Sequence, residues 1–196
     1  MRNPDKTRQR ILQKSGILFN TQGYKATSIS DITGATGYTK GAIYRHFESK
    51  AVLEKETLFH LSGIMFEKLR GMIKDEKTAG AKLRAILRYF EGYVTNPEVK
   101  GGCPLMNAAI EADDAHPVLR KEAIKVLDIL RDSIIAILKN GIRFNQIRKD
   151  VDLAYYSTVI IATLEGAIMM SRLRGDNDDI RRVIKHLERL LKEIEL

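Results

Sequence analysis

Apolar residues recur at three- and four-residue steps along almost the whole chain, and polar and apolar positions nowhere alternate long enough to make a half-buried strand. The pattern predicts an all-α protein. Asn3 and Pro4 open a first helix that carries Ile11, Leu12, Ser15 or Gly16, and Phe19 on one face until Gly23 stops it. Ser28 and Asp31 have the spacing of a capping box for a short second helix that ends between Gly34 and Gly37. A third follows Thr39 and runs to Phe47. Ser49 opens a long fourth helix, to about Lys74, with Val52, Leu53, Leu58, Leu61, Met65 and Leu69 available for burial. Breaks at 78–80, 96–102, 113–117, Asp150 and 175–177 mark off five more, about nine helices in all. No fixed-period repeat or low-complexity tract interrupts them.

With 196 residues, 44% of them hydrophobic, the chain can bury a core and make one or two compact domains. Its charge changes the picture by where it lies. Residues 1–50 hold nine Lys or Arg against three Asp or Glu, which accounts for six of the formal net charge of +8. The first quarter therefore expects a polyanion, nucleic acid or an anionic membrane surface, while the remainder is close to neutral. The single Cys103 excludes a disulfide framework and a multi-cysteine zinc site, and it fits a reducing cytoplasm. No apolar signal region precedes residue 11. The run from Leu153 to Leu164 is uncharged but stops at Glu165, short of the roughly 20 residues of a membrane span, and reads as a buried helix.

Residues 28–47, SISDITGATGYTKGAIYRHF, place two short helices around a Gly-containing turn directly after a basic helix, the layout of a helix-turn-helix DNA reader. Ile29, Ile32, Ala35, Ile43 and Phe47 form a small core in this reading, with Tyr38, Thr39, Lys40, Tyr44, Arg45 and His46 left outside. The runs Ala26-Thr27-Ser28-Ile29 and Thr39-Lys40-Gly41-Ala42-Ile43-Tyr44-Arg45-His46-Phe47-Glu48-Ser49-Lys50-Ala51-Val52-Leu53 resemble the DNA-binding domain of TetR/AcrR-family transcriptional regulators over roughly residues 5–65. The resemblance implies that Tyr44, His46 and Lys50 contact the DNA backbone and that Thr27, Ser28, Tyr38, Thr39 and Lys40 fill the other contact positions.

Physical chemistry supports several of these roles separately. Hydroxyls at helix starts, as on Thr27, Ser28 and Thr39, can bond phosphate oxygens, a role compatible with the alternative of plain capping. Lys40 opens the reading helix and can reach a guanine edge, Lys50 can grip a phosphate, and Gly41 leaves room for close backbone approach. Arg45 divides evenly between DNA backbone and solvent. Residues 1–50 are thus expected to form the DNA-binding domain and 51–196 a helical effector-binding and dimerisation domain.

A single reader buries too little surface for a specific site, so a homodimer on a double-stranded, pseudo-palindromic operator is expected. The apolar stripe of the last helix, with Ile184, Leu187 and Leu191, pairs with Tyr156, Ile160, Leu164 and Ile168 as its candidate interface; the alternative is that both helices complete the monomer core. The resemblance further implies a small-molecule effector in the middle region, where Tyr89, Phe90, Tyr93, Cys103, Met106, Asn107, Ile110, Phe144, Met169 and Met170 are a candidate lining, or else ordinary core. Glu111, Asp113 and Asp114 could hold a cation or cap the helix opened by Pro117. No dinucleotide, phosphate-loop, zinc-hydrolase or serine-hydrolase signature is present, so neither a cofactor, a metal site nor an enzyme is expected. The reading is a cytoplasmic, ligand-responsive repressor; the alternatives are an architectural DNA-binding protein without ligand control, or a small helical enzyme.

Overall fold

Helix caps written into the sequence divide the chain as its periodicity predicts. A computed structural model describes residues 4–112 and 116–196, and among these it forms nine helices: α1 (Pro4–Gln22), α2 (Ile29–Thr36), α3 (Lys40–His46), α4 (Lys50–Lys74), α5 (Ala79–Thr95), α6 (Pro104–Ala112), α7 (Pro117–Arg143), α8 (Leu153–Arg174) and α9 (Asp178–Lys192). The expected cap Asn3 and the acidic pair Asp113 and Asp114 lie outside the described residues. Ser28 Oγ accepts from the Asp31 N–H at 3.2 Å while the Asp31 carboxylate accepts from the Ser28 N–H at 2.7 Å, completing the capping box. Gly37 closes α2 in the left-handed region at φ 71°, and Thr39 caps α3. Asp152 caps α8. The described residues hold no strand, only an antiparallel bridge between Ile147 and Glu195.

The chain forms two compact units whose boundaries fall inside α4, between α5 and α6, and inside α7. The first combines residues up to Met65 with Val99–Leu127. Its core is built from Ile11, Leu12, Phe19 and Tyr24 with Ile32, Ile43, Phe47, Leu53, Leu58 and Leu61, all buried. Three short helices enclose too little apolar area to stand alone, and the start of α4 and the whole of α6 complete them.

The second unit holds Phe66–Glu98 and Asp128–Leu196. Here α8 packs on α9, and both pack on α5. Ile160, Leu164, Ile168, Ile184, Leu187 and Leu191, expected to meet a second copy, are all buried within this unit, and Tyr156 is half-buried. That stripe is core, because the apolar face of α9 is matched by the inward face of α8 in the same chain. What α8 leaves outside is a different, largely apolar surface: Tyr155, Thr158, Ala162, Met169, Met170 and Leu173 are exposed, with Val159, Thr163 and Gly166 half-buried between them and Glu165, Arg172 and Arg174 at its side and end. At 22 residues α8 is long and apolar enough, by length and composition alone, to cross a membrane. Its buried residues from Ser157 to Ser171 are those of a core helix. Near the chain end, the Arg84 guanidinium donates to both Glu195 carboxylate oxygens, at 2.5 and 2.6 Å, and the Glu195 carboxylate fills the place a Cβ on Gly80 would take.

Candidate nucleic-acid interface

The two short helices are set by a few apolar contacts. Ile32, Ile43 and Phe47 are buried as expected, but Ile29 is only half-buried and Ala35 is exposed. Thr36 takes the inward position instead: its hydroxyl donates to the Ile32 carbonyl at 2.7 Å and accepts from the Tyr38 N–H at 3.2 Å, so one side chain fastens the end of α2 to the turn.

With the core facing inward, Ser28, Thr39, Lys40, Gly41, Tyr44 and Arg45 are exposed, and Tyr38 and His46 are half-buried. A Cβ added at Gly41 would meet nothing, so the backbone there is open to close approach. The Lys40 ammonium lies 5.9 Å from the Tyr44 ring centroid, and the Arg10 guanidinium lies 5.9 Å from that of Tyr38. Arg8 stacks over Phe47 and pairs with Glu56. Basic residues of α1 are thus laid against the turn between α2 and α3 and the residue that ends α3. Asp31 is held below the ordinary carboxylate range by its side-chain and backbone hydrogen bonds to Ser28, so the cap is ionised at neutral pH.

Two expected contact residues face elsewhere. Thr27 is wholly buried and its hydroxyl donates to the Gly23 carbonyl at 2.7 Å, which takes it off the surface. Lys50 turns inward: its ammonium donates to the Tyr24 carbonyl at 2.7 Å and lies 3.1 Å from the buried Glu54 carboxylate. Sequence reading missed Glu54, whose second oxygen is 3.7 Å from His116 Nε2. A carboxylate with 1% of its side chain exposed requires a cation, and Lys50 supplies one. Burial first, then the charges of Glu111 and Glu54, raises the Tyr24 phenol well above its ordinary value.

The candidate effector residues fall into separate groups. In the second unit Tyr89, Phe90 and Tyr93 are buried, their ring centroids 5.2 to 6.4 Å apart, whereas Phe144, Met169 and Met170 are exposed. Phe90 also lines a tightly packed seam with Ile86, Leu130, Ile134, Ile161, Leu164 and Glu165, which leaves no room for a water molecule. In the first unit Cys103 is buried, Met106 and Asn107 are half-buried and Ile110 is exposed. No cluster of three or more His, Cys, Asp or Glu suited to a metal occurs among the described residues.

A capped helix-turn-helix with a basic first helix and an exposed reading helix, followed by a larger helical unit, defines a DNA-binding regulator of the helix-turn-helix class. Residues 11–57 match the model of bacterial regulatory proteins of the tetR family, and residues 79–187 match the tetracyclin repressor-like C-terminal domain. The chain belongs to the TetR family of transcriptional regulators. It is 36% identical to a TetR transcriptional regulator from Chloroflexus aurantiacus, with a TM-score of 0.95 over 100% of both chains. It resembles the regulator CifR, solved with 26-bp operator DNA, at a TM-score of 0.80 and 21% identity over 94% of each chain. It is also 22% identical to the HTH-type transcriptional repressor DhaR of Mycobacterium sp. (strain GP1), over 88% of this chain and 86% of that protein.

Proposed function

We propose that the protein is a cytoplasmic, ligand-responsive repressor that binds a pseudo-palindromic operator as a homodimer. The observation that carries this reading is the surface of α3: Lys40, Gly41, Tyr44 and Arg45 are solvent-exposed on a helix whose position is fixed by two caps and a buried Ile32–Ile43–Phe47 core. Lys40 reads a base edge, and Ser28, Tyr38, Thr39, Tyr44, Arg45 and His46 hold phosphates around it. The operator-bound state of CifR and the repressor activity in the name of DhaR support the assignment.

The second copy docks on the largely apolar outer face of α8, from Tyr155 to Leu173, because α9 presents Arg181, Arg182, Lys185, Glu188, Arg189 and Lys192 to solvent. Two readers then enter major grooves about 34 Å apart or a multiple of it. An effector with an apolar body enters beside Phe90 by parting the packed seam of Ile86, Leu130, Ile134 and Ile161, and favours the form that releases DNA. Such coupling is reciprocal, so the effector binds the operator complex less tightly than the free protein.

The test is selection of duplexes from a random DNA library by the purified protein at near-physiological salt. A two-fold-related motif is expected, with half-site spacing that reports the distance between readers. Salt-sensitive binding with no motif would instead establish an architectural DNA-binding protein.

A further inference from the structure

Between the end of α1 and the start of α2 the chain makes a turn that is gripped from both α6 and α4. The Thr27 N–H and hydroxyl both donate to the Gly23 carbonyl, at 3.2 and 2.7 Å, which closes residues 23–27 into one piece. Glu111 of α6 directs its carboxylate at this piece: one oxygen accepts from the Tyr24 N–H and the other from the Lys25 N–H, each at 2.9 Å. The Tyr24 carbonyl receives the Lys50 ammonium. One turn earlier, Asn20 donates to the carbonyls of Lys100 and Gly102, at 2.9 and 2.8 Å, and Asn107 donates to the Asn20 carbonyl, the Asn20 side-chain oxygen and the Gly101 carbonyl, at 2.9 to 3.1 Å.

Two glycines make this approach possible. At Gly23, with φ +95°, an added Cβ would lie 2.8 Å from a Glu111 oxygen; at Gly101, with φ +110°, it would lie 2.2 Å from the Asn20 carbonyl oxygen. At Gly101 the obstacle is backbone and cannot give way, and at Gly23 the positive φ itself disfavours any side chain.

We infer that Glu111 is a positioning residue for DNA binding: its carboxylate sets the 23–27 turn and, through it, the start of α2 and the angle at which α3 meets the duplex. The two backbone N–H groups it accepts stand three and four residues before Ser28, whose capping box begins where the closed turn ends. A carboxylate spread over two N–H donors makes charge-assisted bonds, stronger than the neutral bonds of an ordinary turn. Recognition tolerates only about 0.5 Å of displacement in its contact residues, so loosening this turn acts on the reader although Glu111 touches no DNA. The inference rests on the reading that α3 meets DNA, and the experiment separates the two.

Glu111→Ala and the isosteric Glu111→Gln are made in the full chain. Amide exchange by NMR, without DNA, reports on Tyr24, Lys25 and the amides of α2 and α3; anisotropy titrations compare the duplex selected by the wild type with an unrelated duplex of equal length. For Glu111→Ala, exchange at Tyr24 and Lys25 is expected to rise about 10-fold or more and to spread into α2, and the selected duplex to bind about 10-fold more weakly while the unrelated one changes by less than about 2-fold. Glu111→Gln, which keeps one acceptor, restores part of both losses and decides the matter if the alanine variant does not fold. Exchange confined to Tyr24 and Lys25, or equal weakening on both duplexes, would overturn the positioning role. If the wild type selects no motif, the regulator reading fails on its own account, and spread or confinement of exchange still decides whether Glu111 sets α2.

Discussion

Gly80→Ala tests how the chain end is held in the second unit, and its effect is the difference between two opposing contributions. A Cβ on Gly80 would lie 1.6 Å from one Glu195 carboxylate oxygen and 2.8 Å from Arg84 Nη1. Both atoms end flexible side chains, so the helix can stay in place while the Arg84–Glu195 fork opens. That fork has two hydrogen bonds, and its side chains are 27% and 26% exposed. A charge-assisted pair is worth about 1.5 to 3 kcal/mol when well enclosed, and partial solvent screening brings it to about 1 to 2 kcal/mol. Against this, alanine in place of glycine favours a helix by up to about 1 kcal/mol, and by less so close to the start of α5. The net expectation is a loss of about 0.5 to 1.5 kcal/mol, or about 1 to 5 °C in Tm for a chain of this length. Urea denaturation of the single variants and the double variant forms a cycle. On a Glu195→Ala background the obstacle is gone, and the same Gly80→Ala change is expected to stabilise. Equal destabilisation on both backgrounds would refute the reasoning, because the clash would then lie with the backbone and not with the fork.

Lys40→Ala is expected to lose discrimination at one or two base positions, about 1 to 3 kcal/mol, with binding to other positions retained. Lys50→Ala is expected to weaken a selected duplex more than an unrelated one and to leave the salt slope nearly unchanged, because its ammonium is directed at the Tyr24 carbonyl and Glu54; a slope reduced by about one would return Lys50 to the phosphate contacts. Asp31 is held below the ordinary carboxylate range, so its contribution to stability is present above that range and is lost as the pH falls through the lower folded value; Asp31→Asn should flatten this part of an acid melting series. Met170→Glu places a charge on the outer face of α8 and is expected to give monomers in light scattering with helix content unchanged, whereas an intact dimer would move the interface elsewhere.

The elements were legible because their signals are local. Ser28 with Asp31, Thr39, Gly37 and Gly175 each act within four residues, and each stands where the helix it bounds begins or ends. The exposed reader residues were legible for the same reason, since a short helix with one apolar face leaves its polar face outside. Contacts across the sequence were not. Tyr24 and Glu111 are 87 positions apart, and no pattern marks a carboxylate that will cap a distant turn; read locally, Glu111 looked like a cap for α7 or part of a cation site. Thr27 and Lys50 carried the chemistry of phosphate contacts, but the closed turn and the buried Glu54 claimed them first.

The outer helices show where periodicity itself runs out. On α9 every exposed position from Arg181 to Lys192 is polar apart from the half-buried Val183 and Leu190, so its apolar stripe has a direction, and that direction is inward. On α8 nearly every position is apolar or small, so the sequence states that the helix is buried without stating against what. Taking both stripes as one intermolecular surface counted the α9 stripe twice, once as core and once as interface. Because the residues of α8 that face α9 are consumed within one chain, what this helix leaves for the proposed contact with a second copy is the residual face through Tyr155, Ala162, Met169, Met170 and Leu173. An interface of that kind is set by what the monomer core leaves over, which is a property of packing and not of any one helix's pattern.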